Sequence, residues 1–270
     1  MVKKPNIRRC LEGYLDRFDG RFAVLLSAGL DSHAVLFSLL ALERKVTVYS
    51  FTLDDRESRD FRIARETAAA FDLPFKPIYL PTNINKVKSG LLHVVNDIGA
   101  DSKAAIECIW ALHQAVKVVK ERYIVSGLAA DLFFVLSKKG CMHYKTCPDD
   151  YRIPRFNSVK GPDSQTSKLK RYCKRHNKRW LSPWLSNEMM KEFKGTSWED
   201  CNKPKQKQPL RTQFADYIKQ IRVYNHTDLQ LGDSGIADQF TRLLDDPEWN
   251  RFGYKSMSGI YNRIISGEIR

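Results

Sequence analysis

The sequence contains no apolar run that approaches the roughly 20 residues needed to cross a membrane. Its first six residues lead into no apolar signal segment, so we expect a protein that is neither exported nor membrane-bound. A hydrophobic content of 43% is ordinary for a globular protein and argues against widespread disorder. These features favour a cytoplasmic protein whose 270 residues form one large domain, or a core with an appendage.

Cysteines are also few, and six in 270 residues do not suggest a disulfide scaffold. Three of them lie with two histidines in one basic stretch: Cys141, His143, Cys147, Cys173 and His176. Their spacing is not that of a standard zinc finger. A structural Zn²⁺ that orders this stretch is therefore the less favoured interpretation, and free thiols are the favoured one.

Acidic residues are in short supply, because 31 Asp and Glu stand against 45 Lys and Arg, which leaves a net charge of +14. The excess is concentrated between Lys138 and Arg179, where thirteen basic residues stand against three aspartates. Such a stretch attracts polyanions, and nucleic acid is the partner that residues 138–179 suggest. A solvated basic loop without a partner is an equally good interpretation of the charge alone.

Apolar runs alternate with amphipathic segments through the first half of the chain. The runs predict strands at residues 22–26, 46–51, 75–80 and 123–125, and the segments predict helices at 31–43, 57–71 and 104–120. This alternation indicates an α/β fold, in which helices cover both faces of a parallel sheet. We assign residues 1–137 to this core.

The pattern changes after residue 137. Residues 138–170 combine prolines and glycines with many basic side chains, which predicts a basic insert that is an extended or partly mobile loop. Short helices are predicted at residues 187–193, 210–223, 235–244 and 258–265. We therefore expect residues 171–270 to form a helical C-terminal part that completes the domain.

The first predicted strand ends in a turn of small and hydroxyl residues, Ser27-Ala28-Gly29-Leu30-Asp31-Ser32. Ligands of open parallel sheets bind beyond the carboxyl ends of the strands, which is where this turn lies. Small residues let backbone N–H groups approach an anion, and the next helix points its N-terminus there. Asp31 would repel a phosphate unless a divalent cation lay between them, so the turn predicts a site for a Mg²⁺-bound polyphosphate. A plain N-cap by Asp31 or Ser32 is the alternative.

A second predicted strand ends in a similar way. Ser126 and Gly127 follow this strand, and Asp131 comes four residues after Gly127. If the two strands are neighbours in the sheet, Asp31 and Asp131 can hold one metal ion between them. One such turn is weak evidence for a nucleotide site, and two together are good evidence.

Both turns resemble motifs of one superfamily, the ATP pyrophosphatases or PP-loop proteins. Residues 27–32 resemble its Ser-Gly-Gly-x-Asp-Ser loop, and residues 126–133 resemble the Ser-Gly-x-Gly-x-Asp-Glu-Leu-Phe segment of the asparagine synthetase synthetase domain. Three further segments match that domain in order: the strand VYSFTLDD, the helix that carries Glu107, and KQPLR at residues 207–211. The chain is similar to this domain over roughly residues 20–240, which implies a Rossmann-like sheet of the adenine nucleotide alpha hydrolase type.

The resemblance implies an enzyme that adenylates a carboxylate with ATP, releases pyrophosphate and then forms an amide with ammonia or an amine. It implies that residues 27–32 grip the pyrophosphate, and that Asp31 and Asp131 hold Mg²⁺. It also implies that Lys207 and Arg211 supply positive charge near the phosphates or support the structure. The adenine and ribose pocket would be lined by backbone near Phe51, Thr52, Ser126 and Gly127.

The sequence departs from the family pattern on the substrate side. The glutamate expected after Gly127 is Leu128, and the expected Asp-Glu pair reads Asp131-Leu132. A general base is still needed to deprotonate an ammonium nucleophile. The candidates for this base are His226, Asp228 and Asp233.

Because the nucleotide loop begins by residue 27, we expect no N-terminal glutaminase domain of the kind that asparagine synthetases carry. We therefore expect the nitrogen to come from ammonia or a supplied amine, and the partner to be a small-molecule or macromolecular carboxylate. Two alternatives stay open. One is an ATP pyrophosphatase that adenylates a nucleobase of RNA or DNA, which the basic insert favours. The other is a nucleotide-binding protein without catalysis, which Leu128 and Leu132 favour.

Overall fold

Five parallel strands form one sheet in the order β3-β2-β1-β4-β5. The computed structural model describes residues 4–224 and 234–269 of the chain. The strands are β1 (Arg21–Leu25), β2 (Lys45–Leu53), β3 (Phe75–Leu80), β4 (Tyr123–Ser126) and β5 (Arg179–Leu181). The predicted α/β fold with a parallel sheet is confirmed, and the four predicted strands coincide with β1 to β4 within a few residues.

Helices flank the sheet and make up most of the C-terminal half. Those in the described residues are α1 (Ile7–Leu15), α2 (Leu30–Ala41), α3 (Arg59–Ala70), α4 (Ile84–Asn96), α5 (Lys103–Val118), α6 (Asp131–Phe134), α7 (Lys138–His143), α8 (Pro148–Lys160), α9 (Gln165–Arg175), α10 (Asn187–Phe193), α11 (Trp198–Asn202), α12 (Gln208–Gln213), α13 (Ala215–Ile218), α14 (Ile236–Thr241) and α15 (Met257–Ile265). Ser58, Asn83 and Ser102 cap α3, α4 and α5, each accepting a hydrogen bond from the first turn. Local sequence therefore marks where these three helices begin.

The strand order reverses at β1. From β1 the chain moves outward through β2 to β3, and it then returns to the other side of β1 to form β4 and β5. In the pairing of β1 with β4, Leu25 lies opposite Ser126. A crevice forms at the carboxyl ends of the strands where a parallel sheet reverses in this way. The loops that follow β1 and β4 therefore begin side by side at this crevice.

Each face of the sheet has its own apolar core. One core includes Trp110 of α5 and Tyr261 of α15, and the other includes Phe37 of α2 and Trp184. All four side chains are buried almost completely. Burial of a large apolar side chain stabilises a fold by roughly 1.5–3 kcal/mol. The sheet is thereby fixed from both sides, which gives the crevice loops a rigid base.

Residues 138–170 are largely helical, which corrects the prediction of an extended insert. They form α7, α8 and the start of α9. One physical reason lies in α8, where the side chain of Arg152 is fully buried. Its guanidinium donates to the backbone carbonyls of Phe133 (2.8 Å), Phe193 (3.2 Å) and Thr196 (2.7 Å). One of the segment's own basic residues thus ties it to the core through contacts that no local pattern reveals.

Besides α7 and α8, six described elements are not predicted above: α1, α4, α6, α9, α11 and β5. Helix α4 does carry a signal, because Val87, Leu91 and Val94 form a buried stripe behind the Asn83 cap. Strand β5 has only three residues, which is too short for a periodicity to be read. The helix predicted over residues 210–223 is in fact two short helices, α12 and α13. The division of the chain at residues 137 and 170 stays a prediction.

Candidate nucleotide-binding site

The loops after β1 and β4 touch each other at the carboxyl edge of the sheet. A Cβ atom added to Gly127 would lie 2.6 Å from the backbone nitrogen of Ser32 and 2.8 Å from Cβ of Asp31. Distances this short are incompatible with a side chain, so the close approach requires glycine at position 127. The second loop therefore packs directly on the first turn of α2.

The first loop, residues 27–32, is a turn closed by its own hydroxyl groups. The Oγ atoms of Ser27 and Ser32 lie 3.1 Å apart, and the backbone N–H groups of Ser27 and Gly29 donate to these hydroxyls. Gly29 occupies the N-cap of α2 without a side-chain hydrogen bond, so an N-cap by Asp31 or Ser32 is wrong. The loop thus presents the N-terminus of a 12-residue helix to the crevice.

Asp31 and Asp131 face the same point, and the ammonium group of Lys207 lies there. Nζ of Lys207 is 2.6 Å from Oδ2 of Asp31 and 2.7 Å from Oδ1 of Asp131. The side chains of Lys207 and Asp31 are 7% and 10% exposed, whereas that of Asp131 is 46% exposed. Carboxylates from two different loops therefore share one cation, and the structure brings together the two aspartates that the sequence pairs.

The backbone of Lys207 is fixed by its position at the start of α12 and by a hydrogen bond to Asn202. Lys207 is the N-cap of α12 with φ of 59°, a left-handed conformation that is uncommon outside glycine. Oδ1 of Asn202 accepts the backbone N–H of Lys207 (3.3 Å), and the amide of Asn202 donates to the carbonyl of Phe134 (2.9 Å). Burial lowers the pKa of Lys207, but Asp31 and Asp131 outweigh it and the pKa is raised. Lys207 is therefore an ammonium cation at neutral pH.

A cavity of about 220 Å³ lies beside the two aspartates. Its apolar wall contains Leu26, Phe51, Cys108, Leu112 and Leu128, and residues of both loops, including Ser126 and Gly127, line the rest. An apolar slot that ends at backbone N–H groups and carboxylates suits a flat base followed by phosphates. Thr52 is not part of this wall, because its hydroxyl donates to the carbonyl of Arg56 at 2.7 Å in the turn after β2.

Two side chains that sequence reasoning missed fix the first loop. Oδ1 of Asp60, in the first turn of α3, accepts the backbone N–H of Ala28 at 3.1 Å. His33 lies fully buried behind the loop, with Nδ1 2.8 Å from the carbonyl of Gly29 and Nε2 3.1 Å from the hydroxyl of Thr67. Burial lowers the pKa of His33 to about 4, so the ring is neutral, and it donates through Nδ1 because a carbonyl only accepts. In the sequence, only the position of Asp60 after β2 points to a role at this site. His33 is marked by nothing except the apolar residues around it.

The remaining residues that the sequence suggests for the site either lie away from the two aspartates or fall outside the described residues. Nε of Arg211 donates to the carbonyl of Gln206 at 3.0 Å, so this side chain braces the turn before α12. Glu107 accepts a hydrogen bond from the hydroxyl of Tyr261 at 3.3 Å, and its neighbour Cys108 is the residue that lines the cavity. Burial raises the pKa of Glu107. His226, Asp228 and Asp233 lie outside the described residues.

The structure places the cysteines of the basic stretch in different surroundings. Cys173 is buried in the core and Cys147 is exposed, while Sγ of Cys141 donates to the carbonyl of Val135. Within residues 4–224 and 234–269, no group of three or more His, Cys, Asp or Glu side chains is placed to hold a metal ion.

Most of the chain matches a single protein-family model. That model describes asparagine synthase, and it matches residues 6–242. The chain belongs to the asparagine synthase family. The matched region contains both loops, Lys207 and all five strands. The resemblance to this family within the PP-loop superfamily is thereby confirmed.

None of the curated proteins matches the chain in sequence. Among solved structures, the chain is similar to the U34-tRNA thiolase NcsA from Methanococcus maripaludis with its 4Fe-4S cluster. The two share 11% sequence identity with a TM-score of 0.40, over 97% of this chain and 76% of the thiolase chain. A similarity at this level carries no argument about function.

Membership of the asparagine synthase family makes this chain an ATP-using enzyme, and Mg²⁺ usually accompanies ATP in PP-loop proteins. The assignment of residues 27–32, Asp31 and Asp131 to the nucleotide stays a prediction. In the part of the chain that the structure describes, no helix combines the length and the apolar character needed to span a membrane.

Proposed function

We propose that this asparagine synthase family member adenylates a carboxylate with ATP and then joins it to ammonia or an amine, releasing pyrophosphate and AMP. One observation carries the proposal: oxygens of Asp31 and Asp131 lie 2.6 and 2.7 Å from a single ammonium nitrogen. Two carboxylates that meet at one cation, beside a helix N-terminus at the edge of a parallel sheet, suit a metal-bound triphosphate. The apolar slot next to them suits its adenine base.

The donor set fits Mg²⁺, which prefers carboxylate, phosphate and water oxygens. When bound, the ion would neutralise the charge that develops on the departing pyrophosphate. Asp31 and Asp131 would each supply one oxygen to it. The first turn of α2 would bind phosphate oxygens through its backbone N–H groups, and Lys207 would offer them a second positive group.

The proposed reaction has two steps, adenylation of the carboxylate and formation of the amide. In the first, a carboxylate oxygen attacks the α-phosphorus of ATP, and the electron pair of the broken phosphorus–oxygen bond leaves with pyrophosphate. In the second, an amine nitrogen attacks the acyl carbon, AMP leaves, and a base takes the proton from nitrogen. His226 and Asp228 stay the predicted candidates for that base.

A second candidate function is the adenylation of a nucleobase, and a basic rim around the site favours it. This rim, defined here as segments 136–147 and 202–211, contains no acidic residue. Asn202 places the second segment near the start of the first, since it donates to the carbonyl of Phe134, two residues before residue 136, and accepts the backbone N–H of Lys207. Five lysines of the rim are exposed: Lys138, Lys139, Lys145, Lys203 and Lys205. A positive rim at the mouth of a nucleotide site suits a polyanionic substrate.

The experiment that tests the proposal measures pyrophosphate release from ATP and Mg²⁺. Amino acids and other small carboxylates would be screened with ammonia and amines, and RNA and DNA oligonucleotides would be screened separately. Release that requires a carboxylate, with an amide as product, supports amide ligation. Release that requires only an oligonucleotide replaces it with nucleobase adenylation. ATP binding without release under any condition contradicts both and leaves a nucleotide-binding protein.

Two variants connect this activity to the site. Asp31→Asn and Asp131→Asn each remove a proposed metal ligand, so we expect each to reduce pyrophosphate release by about 100-fold or more. The matched control is Asp150→Asn, which changes an exposed aspartate on α8 and should leave release unchanged. Equal rates in all four proteins would contradict the assignment of the site.

A further inference from the structure

The ammonium group of Lys207 and a divalent cation compete for the same place. Nζ of Lys207 lies 2.6 Å from Oδ2 of Asp31 and 2.7 Å from Oδ1 of Asp131. A Mg²⁺ ion held by these two oxygens would sit at roughly 2.1 Å from each. Both cations cannot lie between the same pair of oxygens, because they would be in contact and of like charge. Metal binding at this pair therefore requires the ammonium to leave.

The flexible side chain of Lys207 allows its ammonium group to move away from the two aspartates while its backbone stays in place. The backbone is anchored at the start of α12 by Asn202, as described above. The ammonium, by contrast, stands at the end of a flexible four-carbon stem that can turn to other acceptors. A bound triphosphate would place new anionic oxygens beside the loop of residues 27–32, within reach of such a swing.

From these contacts we propose that Lys207 is a built-in counter-cation, which keeps divalent metal out of the Asp31–Asp131 pair until a nucleotide arrives. On nucleotide binding the ammonium turns to the phosphates, and the metal ion takes its place between the two carboxylates. Metal and nucleotide therefore bind as one unit, and metal alone binds weakly. This inference rests on the proposed function only in naming the nucleotide as the ligand that draws the ammonium away.

The charges of the site explain why such a device is needed. Without Lys207, the carboxylate oxygens of Asp31 and Asp131 would lose the ammonium group that lies 2.6 and 2.7 Å from them. Two carboxylates without this ammonium attract a divalent cation from solution more strongly than they do with it. If the ion pair of Lys207 only stabilised the fold, removing Lys207 would not strengthen metal binding. Metal affinity measured without nucleotide therefore distinguishes a counter-cation from a purely structural ion pair.

The test measures Mn²⁺ binding by electron paramagnetic resonance, with and without a non-hydrolysable ATP analogue. The proteins compared are the wild type, Lys207→Met and Lys207→Gln. The matched control is Lys219→Met, which breaks an exposed lysine–aspartate pair with Asp216 on α13. We expect Mn²⁺ alone to bind both Lys207 variants at least about tenfold more tightly than the wild type and the control. We expect the analogue to strengthen Mn²⁺ binding in the wild type much more than in the variants.

Two results would overturn the inference. One is equal Mn²⁺ affinity of the wild type and both Lys207 variants without nucleotide. The other is a gain in affinity that survives when Asp131→Asn is added to Lys207→Met, since the extra site would then lie elsewhere. Urea unfolding of each variant establishes that the folded protein is compared, and Lys207→Gln keeps a polar group of similar length. Metal binding without nucleotide is measured independently of pyrophosphate release, so failure of the proposed function and failure of this inference give different results.

Discussion

At the scale of single residues, Gly127 joins the two halves of the candidate site. Its missing side chain lets the loop after β4 lie against the first turn of α2, where an added Cβ would meet Ser32 at 2.6 Å. We predict that Gly127→Ala pushes the loops apart and separates Asp131 from Asp31. The expected result is a loss of at least tenfold in ATP affinity and a cost of roughly 1–3 kcal/mol in the free energy of unfolding.

Calorimetric titration with an ATP analogue and urea unfolding would measure both effects. The matched control is Gly13→Ala in α1, where an added Cβ meets no atom within 4 Å. That change should leave ATP affinity unaltered and raise the free energy of unfolding by about 0.5–1 kcal/mol, because alanine favours a helix. Full ATP affinity in Gly127→Ala would show that the contact between the loops is not required.

The residues of the site differ in how far the sequence can predict them. The pairing of Asp31 with Asp131 is predictable, because each follows a strand and a small-residue turn, and such turns meet at one edge of a parallel sheet. The ion pair of Lys207 with both aspartates is not, since the contacts span 176 and 76 residues. Asn202 supports the site only through the folded backbone, and no local pattern marks it, whereas Asp60 is marked only by its position after β2.

At the scale of secondary structure elements, α8 is fixed to the protein by one buried arginine. Arg152 donates to carbonyls at the ends of α6 and α10, and also to Asp149 at 3.1 Å. We predict that Arg152→Met removes the arginine donor from the carbonyls of Phe133, Phe193 and Thr196 and lowers the free energy of unfolding by roughly 3–5 kcal/mol. Urea unfolding monitored by circular dichroism would measure the loss.

Arg155→Met is the control on the same helix, because its side chain is exposed. It should change the free energy of unfolding by no more than about 0.5 kcal/mol. If the two variants were equally stable, the buried arginine would not be what holds α8 in place. The comparison also separates lost charge, which both variants share, from lost hydrogen bonds.

The alternating half of the chain is predictable at this scale, and the basic segment is not. Strands β1 to β3 and helices α2, α3 and α5 follow from apolar periodicity. Residues 138–170 present prolines, glycines and charges that are typical of a loop, and Pro154 even lies inside α8. In α8, the tertiary contacts of Arg152 oppose these local preferences, while Ser137 and Ser164 cap α7 and α9.

At the scale of the whole molecule, two fully buried histidines make stability depend on pH. Burial lowers the pKa of His33 to about 4, and burial with nearby Lys117 lowers that of His113 to about 3. In the unfolded chain both values are near 6.5. Between about pH 6.5 and pH 4 the unfolded chain therefore binds protons that the folded chain does not. The free energy of unfolding should fall across this range as pH drops, by up to about 1.4 kcal/mol per pH unit for each histidine.

Urea unfolding at about pH 7 and about pH 5 would measure this dependence in the wild type and in His113→Gln. The variant lacks one of the two histidines, so its loss of stability between the two pH values should be smaller. The difference between the two proteins isolates the histidine from carboxylates such as Glu107, which contribute with the opposite sign. The same pH dependence in both proteins would mean that His113 is not held neutral in the folded state.

The central claim is that Asp31 and Asp131 bind one divalent ion together with a triphosphate. A crystal structure with Mn²⁺ and a non-hydrolysable ATP analogue, with the metal located by anomalous scattering, tests it most directly. The account predicts a single Mn²⁺ ligated by one oxygen of each aspartate and by phosphate oxygens, with the triphosphate against residues 27–32 and the ammonium of Lys207 turned towards it. A metal ion bound without these two carboxylates, or a triphosphate bound away from the first turn of α2, would contradict the account.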